Sequence, residues 1–421
     1  MPNNFHFKEN KLHCEQFDID AFSQQTETPF YIYSKNELIE NCQRVIDAGK
    51  DKDFLACYAF KANYNPYLLR IIRDMGFGAD VVSGGELQFA LKLGFDPHKI
   101  VFSGVGKTAA EIELAIGTGI HSLNVESAEE LKLVSAIAEK LQKPTRIALR
   151  VNPDIEAETH EFISTGKHIN KFGITQEEAF RLYQLAKDDK FLDPHGIHVH
   201  IGSQITKKEP FLKTVDFLLH FSHQLKQSGV PISYLDLGGG IGINYDDDFQ
   251  SNQSDNEFVN ETLPAYLNGF KDSGLKLVAE LGRSVIGTTG LLITEVLYRK
   301  ETPAKKFVVV DAAMNNLIRP SLYSAHHEIV PLAMNSSITE KVDVVGPICE
   351  STDFFAKDRL LPTTEQGDYL AIGASGAYGQ ALASNYNLRP SVKEFLVDKD
   401  KVECIYEGRT IDNIFDEFGM K

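Results

Sequence analysis

Short apolar runs alternate with amphipathic segments between residues 54 and 283. Eight of the runs have the length and composition of strands, and the segments between them repeat apolar residues at helical spacing. The predicted strands are Phe54–Phe60, Ala79–Ser83, Ile100–Ser103, Ser122–Val125, Arg146–Val151, Gly196–Ile201, Tyr234–Leu237 and Lys276–Glu280. Strands that alternate with helices predict a parallel sheet, and eight such units predict an α/β fold of the (β/α)8 TIM-barrel type.

The pattern changes after about residue 285, where strand-like runs follow one another with turns between them and little helix. These runs begin at Leu291, Lys306, Glu340, Asp368 and Lys401. They predict a C-terminal all-β, barrel-like domain, which the extended run near the N-terminus could join. We therefore expect a barrel over residues 35–285 and a β domain made of residues 1–34 and 286–421.

Composition and charge argue against a nucleic-acid or membrane partner. The chain of 421 residues is 24% charged with a net charge of −16, whereas nucleic-acid binding requires a basic face. No apolar run approaches the ~18 residues that span a bilayer, and the N-terminus lacks the pattern of a secretory signal. The five cysteines are scattered without a Cys-x-x-Cys pair, so we expect no disulfide scaffold and no metal site. These features predict a cytoplasmic enzyme.

Lys61 ends the first predicted barrel strand and is followed at once by turn residues. The carboxyl ends of parallel barrel strands are where such folds place their active sites. A desolvated lysine there can form a Schiff base with a carbonyl group. An ordinary strand-end lysine that reaches water would show the same local pattern.

Further candidate side chains follow the later strands of the predicted barrel. His198 and His200 share one face of the sixth strand, where an imidazole could stack on a planar cofactor or be a hydrogen-bonded core residue. Gly238–Gly240 follow the seventh strand and could bind a phosphate with their N–H groups or form only a tight turn. Glu280 ends the eighth strand three residues before Arg283, and its carboxylate could hold a pyridine nitrogen protonated or form a surface ion pair.

Three clusters in the predicted β domain add further reactive groups. Arg319 and Tyr323 share one loop, and Cys349 is adjacent to Glu350. Tyr378 lies among small residues that allow close backbone approach. Taken singly, each of these residues could be structural, and a buried free cysteine is usually inert packing.

Taken together and in this order, the motifs resemble those of the diaminopimelate decarboxylase family, which belongs to the fold-type III pyridoxal-phosphate enzymes. The resemblance extends from about residue 28 to the C-terminus. The motifs are Tyr58-Ala-Phe-Lys61-Ala-Asn63, Ser83-Gly-Gly-Glu86, His198-Val-His200-Ile-Gly-Ser203, Asp236-Leu-Gly-Gly-Gly240, Glu280-Leu-Gly-Arg283, Arg319-Pro-Ser-Leu-Tyr323, Cys349-Glu350-Ser and Gly376-Ala-Tyr378. Eight motifs in the order of one family are far more specific than any single motif.

The resemblance implies a barrel of the alanine-racemase type that binds pyridoxal 5'-phosphate. The implied reaction decarboxylates meso-2,6-diaminopimelate to L-lysine, the last step of lysine biosynthesis. Lys61 would bind the cofactor covalently, and Cys349 would return a proton after carbon dioxide leaves. The other implied cofactor-binding residues are His200, Ser203, Gly238, Gly239, Gly240, Glu280, Gly282, Arg283 and Tyr378. The implied substrate-binding residues are Arg283, Arg319, Tyr323, Glu350 and Tyr378.

The resemblance also implies a homodimer, in which the segment around Cys349 and Glu350 reaches into the active site of the partner. Residues 160–173 resemble the mobile active-site loop of the family, and we expect them to close over the substrate. Two positions depart from the family motifs: Leu281 replaces a proline, and Thr352 replaces a glycine.

Other functions on the same fold stay open from the sequence. A decarboxylase of ornithine, arginine or carboxynorspermidine would share the cofactor site. A racemase is disfavoured by Glu280, because racemases of this fold hold the pyridine nitrogen with an arginine. A non-catalytic binding protein of decarboxylase ancestry is expected to have lost Lys61 or Cys349, and both are present.

Overall fold

The computed structural model describes residues 4–155, 171–250 and 257–420. Its strands are β1 Phe5–Lys8, β2 Lys11–Cys14, β3 Phe17–Asp18, β4 Phe30–Ser34, β5 Phe54–Ala59, β6 Gly78–Val81, β7 Ile100–Phe102, β8 Ser122–Val125, β9 Thr145–Arg150, β10 Leu192–His198, β11 Tyr234–Asp236, β12 Lys276–Leu281, β13 Gly290–Glu301, β14 Lys306–Val310, β15 Ile329–Pro331, β16 Thr339–Val345, β17 Phe354–Pro362, β18 Tyr369–Ile372, β19 Lys393–Asp398 and β20 Lys401–Tyr406. Its α-helices are α1 Ile19–Ser23, α2 Lys35–Gly49, α3 Pro66–Asp74, α4 Gly84–Lys92, α5 Ala109–Thr118, α6 Ala128–Leu141, α7 Gln176–Ala186, α8 Glu209–Gln227, α9 Glu257–Asn268, α10 Arg283–Ile286, α11 Arg319–Tyr323 and α12 Ile411–Glu417.

The chain divides into two compact units. The first, the barrel unit, comprises residues 42–243 and 257–284, and the second, the β unit, comprises residues 1–41, 244–256 and 285–421. None of the described helices combines the length and the apolar composition that a membrane span requires.

The barrel unit is a closed ring of eight parallel strands, β5 to β12 in chain order, in which β12 pairs with β5. All eight predicted strands are present, and the predicted (β/α)8 barrel is confirmed. The largest difference is in β10, which begins four residues before the predicted Gly196. Small hydroxyl residues explain where several of the helices begin, because the side chains of Ser83, Thr108 and Ser127 each accept the backbone N–H three residues later.

The β unit contains a nine-stranded sheet and a separate three-stranded sheet. The main path of the larger sheet runs β17-β16-β14-β13-β4-β19-β20; off this path, β18 pairs with β13, and β15 pairs with β18. Strand β4 lies between β13 and β19, so the extended N-terminal run does join the C-terminal strands. The predicted β domain after the barrel is confirmed, although the region is mostly β because it also contains α11 and α12.

Candidate active site

Lys61 lies in a single 3-10 turn, Phe60–Ala62, directly after β5. Its Nζ donates a hydrogen bond to Oδ2 of Asp80, in the neighbouring strand β6, at 3.1 Å. Gly282 allows this turn to pack closely, since a Cβ at Gly282 would lie 3.0 Å from the Cβ of Ala62. The predicted lysine is therefore held at the carboxyl end of the barrel by a carboxylate of the next strand.

Asp80 was not predicted as a site residue. Burial and the nearby Glu280 carboxylate raise the pKa of Asp80 to about 7, against the opposing effect of the Lys61 ammonium. Its Oδ1 atom is buried without a hydrogen-bond partner among the described residues. The sequence signal is an acidic residue within the apolar run Gly78-Ala-Asp80-Val, because ionisable groups are rarely buried without a partner.

Glu280 joins a polar network that crosses the interior of the barrel. Its Oε1 accepts from Ser103 Oγ at 2.9 Å and from Asn124 Nδ2 at 3.1 Å. Its Oε2 lies 3.3 Å from Nε2 of His198, and Asn124 Nδ2 is also 3.1 Å from Oδ2 of Asp236. Side chains from β8, β10, β11 and β12, and from the residue after β7, therefore meet inside the ring. Ser103 and Asn124 were not predicted, and their only sequence signal is a polar residue next to or within an apolar strand.

Glu280 is the buried carboxyl group of this network that keeps its negative charge. Burial acts to raise the pKa of Glu280, but His198 and Lys61 outweigh this effect and hold the pKa well below its usual range. Burial and Glu280 instead raise the pKa of Asp236 well above its usual value. Burial would lower the pKa of His198, but the carboxyl groups of Glu280 and Asp236 raise it overall. The network thus concentrates one negative charge on Glu280.

His200 is a neutral imidazole beside the glycine run. Its Nδ1 accepts the backbone N–H of Gly239 at 3.1 Å. Burial lowers the pKa of His200 well below its usual value, and the charges of Arg150 and Lys61 act in the same direction. With Nδ1 as the acceptor, the proton of the neutral ring is on Nε2.

Gly238, Gly239 and Gly240 allow backbone segments to pass each other at very short distances. A Cβ would lie 2.3 Å from Val199 O at Gly238, 2.1 Å from Glu280 O at Gly239 and 2.3 Å from Gly202 O at Gly240. Gly238 and Gly240 also adopt positive φ angles of 62° and 99°. Each position therefore requires glycine for internal packing, whatever ligand it faces.

Two of the three N–H groups of this run are used within the protein. The N–H of Gly238 donates to Oδ1 of Asp236 at 3.1 Å, and that of Gly239 donates to His200. Arg283 lies at the start of α10, and its Nη2 donates to Oγ of Ser203 at 3.1 Å. Ser203, predicted to bind the cofactor phosphate, is therefore in direct contact with Arg283, which was predicted to bind both cofactor and substrate.

Arg319 begins α11 in the β unit and is buried. Its Nη1 lies 2.7 Å from Nε2 of His327, and its guanidinium carbon lies 4.6 Å from the centre of the Tyr245 ring. Tyr323 ends the same helix and is half-buried. Neither His327 nor Tyr245 was predicted, although both belong to the immediate surroundings of a predicted site residue.

Cys349 and Glu350 are exposed on a turn that Asp353 fixes. The Asp353 carboxylate accepts the backbone N–H of Met314 and of Ile348, both at 2.7 Å. The N–H of Cys349 donates to Oδ1 of Asn387 at 2.9 Å. The turn therefore presents a thiol and a carboxylate side by side to their surroundings.

Thr352, where the family commonly has glycine, does not adopt a positive φ, so its backbone conformation does not require glycine. Tyr378, in contrast, has a φ of 56°, an uncommon conformation for a bulky residue. It follows Gly376, where a Cβ would lie 2.0 Å from the carbonyl oxygen of Ile286. Strained backbone of this kind clusters at functional sites.

The predicted residues thus fall into two groups. The first lies in the barrel unit and comprises Lys61, His200, Ser203, Gly238, Gly239, Gly240, Glu280, Gly282 and Arg283. The second lies in the β unit and comprises Arg319, Tyr323, Cys349, Glu350 and Tyr378. Their roles stay predictions, as does the closing loop at residues 160–173, which lies outside the described residues except for its last three.

The chain matches the family model described as the pyridoxal binding domain of pyridoxal-dependent decarboxylases over residues 35–287. The diaminopimelate decarboxylase of Vibrio cholerae is 42% identical over 412 residues, which cover 98% of this chain and 97% of the relative. The diaminopimelate decarboxylase of Aquifex aeolicus is 41% identical over 409 residues, which cover 97% and 96%.

Solved structures show the same similarity. The crystal structure of Helicobacter pylori diaminopimelate decarboxylase complexed with L-lysine has a TM-score of 0.88 at 40% identity, and the match covers 96% of this chain and 100% of that chain. The structure of the M. jannaschii diaminopimelate decarboxylase in co-complex with L-lysine has a TM-score of 0.90 at 35% identity, with coverage of 99% and 98%.

Proposed function

The chain belongs to the diaminopimelate decarboxylase family, and we propose on that premise that it converts meso-2,6-diaminopimelate to L-lysine and carbon dioxide. The observation that carries this proposal is identity of about 40% over nearly the whole length of relatives with that activity. The chain is a decarboxylase, and its cofactor is pyridoxal 5'-phosphate. The reaction is the last step of lysine biosynthesis.

The donor set of the barrel unit suits this cofactor. The amine of Lys61 suits the aldehyde of pyridoxal phosphate, and the ionised carboxylate of Glu280 suits its pyridine nitrogen. The guanidinium of Arg283 suits its phosphate. When bound, the cofactor withdraws electrons from the carbon that loses carbon dioxide. We assign covalent attachment to Lys61, stacking against the ring to His200, and stabilisation of the protonated pyridine nitrogen to Glu280.

We assign the phosphate end of the site to the glycine run, Ser203, Gly282 and Arg283. Because the N–H groups of Gly238 and Gly239 already have acceptors, Gly240 is the member of the run that we expect to donate its N–H to the phosphate. Gly238 and Gly239 instead shape the loop. The Arg283 guanidinium adds a fixed positive charge next to the Ser203 hydroxyl.

We assign the substrate to residues of the β unit together with Arg283. Arg319 and Tyr323 would hold the distal carboxylate, Glu350 the distal ammonium, and Tyr378 both substrate and cofactor. Cys349 would deliver the proton that replaces carbon dioxide. A charge left unmatched in a buried site costs several kcal/mol, roughly, so paired partners for the distal carboxylate and the distal ammonium would disfavour a simple diamino acid.

We propose the same division of work for the domains: a barrel over residues 35–285 that binds the cofactor, and a β domain of residues 1–34 and 286–421 that carries substrate-binding and proton-donor groups. The matched family model ends at residue 287, which supports a change of role at that point. The grouping of the predicted residues by unit supports it as well.

We propose a homodimer with shared active sites, because two exposed apolar side chains flank the asparagine that binds the turn of Cys349 and Glu350. Tyr386 is 45% exposed and Leu388 is 57% exposed, on either side of the asparagine that binds the Cys349 backbone. Clustered exposed apolar residues of this kind mark interaction surfaces.

Shared sites can be tested by mixing two inactive variants, Lys61→Ala and Cys349→Ala. If the two groups act across the interface, mixed dimers regain one intact site, and co-expression is expected to restore about a quarter of the wild-type activity. A strictly monomeric enzyme, or a mixture that stays inactive while mixed dimers are present, contradicts the proposal.

A cytoplasmic location is also part of the proposal. It is supported by the cysteines, all five of which are free. Proteins of reducing compartments keep their thiols in this state.

The proposed reaction is tested by incubating the purified enzyme and pyridoxal phosphate with meso-diaminopimelate, ornithine, arginine or carboxynorspermidine. Carbon dioxide release and the amino-acid product are measured for each. Release of carbon dioxide from meso-diaminopimelate with formation of L-lysine is expected. Turnover of ornithine or arginine alone would replace the proposed substrate with that amino acid.

A further inference from the structure

We propose that His327 is a positioning residue for substrate recognition, which fixes the direction of the Arg319 guanidinium toward the distal carboxylate. The inference rests on the proposed function and adds to it a residue that does not itself touch the substrate. Its basis is a chain of contacts within the β unit that joins Arg319, His327 and the turn carrying Tyr378.

The hydrogen bonds of His327 define its protonation. Nδ1 lies 2.7 Å from the carbonyl oxygen of Gly373, and Nε2 lies 2.7 Å from Nη1 of Arg319. A carbonyl oxygen only accepts and a guanidinium only donates, so Nδ1 carries the proton and Nε2 accepts from Arg319. His327 is fully buried, and the imidazole is therefore a neutral connector with both ring nitrogens used.

Tyr245 completes the support of the guanidinium. Its ring centre lies 4.6 Å from Cζ of Arg319 and 5.0 Å from the centre of the His327 ring, and the two aromatic planes meet at 74°. The hydrogen bond to His327 thus limits the in-plane direction of the guanidinium, and the ring of Tyr245 limits its tilt. A long, flexible side chain loses much of its conformational freedom before any ligand arrives, which favours tight and selective binding.

A histidine suits this position better than a carboxylate would. An aspartate or glutamate at the same place would also orient Arg319, but it would neutralise the positive charge that must attract the substrate carboxylate. A neutral imidazole accepts a hydrogen bond without adding negative charge. His327 therefore directs Arg319 and leaves its charge for the ligand.

The same histidine connects Arg319 to a second predicted substrate contact. Gly373 accepts from the His327 ring, and its own N–H donates to the carbonyl oxygen of Glu328 at 2.8 Å. Gly373 opens the turn that carries Tyr378. The hydrogen bonds of His327 and Glu328 with Gly373 thus connect the segment after α11 to the turn that carries Tyr378.

Two replacements of His327 separate its two hydrogen bonds. His327→Asn can still donate to the Gly373 carbonyl, but it no longer reaches Arg319. His327→Gln can place an amide oxygen near the position of Nε2 and so restore an acceptor for Arg319. The adjacent His326 is 43% exposed and contacts Glu328 and Arg359, so His326→Asn serves as the matched control.

The holoenzymes are compared by their KM for meso-diaminopimelate and their inhibition constants for L-lysine and 1,5-diaminopentane, which lacks the carboxylate. For His327→Asn we expect KM and the lysine constant to rise about tenfold or more, as for loss of a hydrogen bond to a charged group. The diaminopentane constant and kcat are expected to change little. We expect His327→Gln to recover KM and the lysine constant in part. In an Arg319→Gln background, we expect His327→Asn to have no further effect on either constant.

Equal weakening of L-lysine and 1,5-diaminopentane, or an unchanged lysine constant in His327→Asn, overturns the inference. If His327→Asn does not fold, His327→Gln is compared with wild type instead. Because recovery in His327→Gln is only partial, its inhibition constant for L-lysine is still expected to rise more than its constant for 1,5-diaminopentane. If the wild-type enzyme acts on meso-diaminopimelate and replacement of His327 does not change the binding constants, only this inference is refuted. Wild-type enzyme that releases no carbon dioxide from meso-diaminopimelate overturns the proposed function and this inference with it.

Discussion

The Nζ atom of Lys61 lies 3.1 Å from Oδ2 of Asp80, which joins a lysine side chain that is 38% exposed to a carboxyl group that is fully buried. The carboxyl group is fixed in strand β6, whereas the lysine stem is flexible. Asp80 therefore provides a fixed acceptor that helps to orient the amine. The raised pKa of Asp80 shows that burial and Glu280 outweigh the stabilisation of its charged form that Lys61 provides.

Replacement of Lys61 by alanine is expected to abolish covalent attachment of the cofactor, because Lys61 supplies the amine directly after β5. The visible absorbance of the bound cofactor and its fixation by borohydride, detected by mass spectrometry, measure this directly. Asp80→Asn keeps the amine and is expected to retain a reducible cofactor, although with weaker uptake. A yellow cofactor that can still be reduced onto Lys61→Ala would show that another residue forms the bond, and the surface variant Lys132→Ala controls for non-specific labelling.

Glu280→Gln is expected to lower kcat about a hundredfold or more, the scale of losing one charge-stabilising group in a buried site. The amide keeps the shape of the side chain but loses the negative charge that the barrel network concentrates on this residue. Ser103→Ala removes one hydrogen bond to Glu280 and keeps the charge, so a smaller loss of about tenfold is expected. Steady-state rates with meso-diaminopimelate measure both, and equal losses in the two variants would contradict the role of the charge.

Gly239→Ala is expected to destabilise the barrel unit by about 1–3 kcal/mol, the usual range for overpacking. The new Cβ would lie 2.1 Å from the carbonyl oxygen of Glu280, so the end of β12 must move. Cofactor affinity is expected to fall with stability, because Glu280 moves with its backbone. Gly106→Ala is the control, since a Cβ there meets nothing within 4 Å. Urea unfolding and cofactor titration test the pair, and equal behaviour of both variants would show that the glycine run tolerates side chains.

The barrel could be predicted from the sequence because each of its strands and helices leaves a local hydrophobic pattern. Strand β17 was missed because its alternation is broken: the pairing with β16 shifts register, and Asp358 within the strand has a φ of 51°. The registers and bulges that cause such breaks depend on the neighbouring strand, which the local pattern does not record.

Motifs identified the predicted site residues but not the residues that support them. Asp80 and Asn124 lie in different strands, and only closure of the barrel brings both into the surroundings of Glu280. His326 and His327 are adjacent and look alike in the sequence, yet one is exposed and the other is fully buried. Burial of single residues in a non-periodic segment follows from tertiary packing, and so the positioning role of His327 required the structure.

His121 is expected to make the stability of the protein depend on acidity between pH 6.5 and about 4. Burial, with Lys276 and Arg146 nearby, lowers the pKa of His121 to about 4 from the ordinary 6.5. The unfolded chain therefore binds a proton in this range that the folded chain excludes, so stability is complete above pH 6.5 and falls as the pH decreases toward 4. The difference of about 2.5 pKa units corresponds to about 3 kcal/mol.

Urea midpoints measured from pH 4 to 7 for wild type and His121→Phe test this expectation. The aromatic replacement keeps the contact with the Tyr234 ring, whose centre lies 5.1 Å from that of His121, and it cannot bind a proton. The variant is expected to lose less stability than wild type as the pH falls below 6.5. His223→Phe, at an exposed position of α8, is expected to follow the wild-type curve. Parallel curves for His121→Phe and wild type would mean that the acid sensitivity arises from other groups.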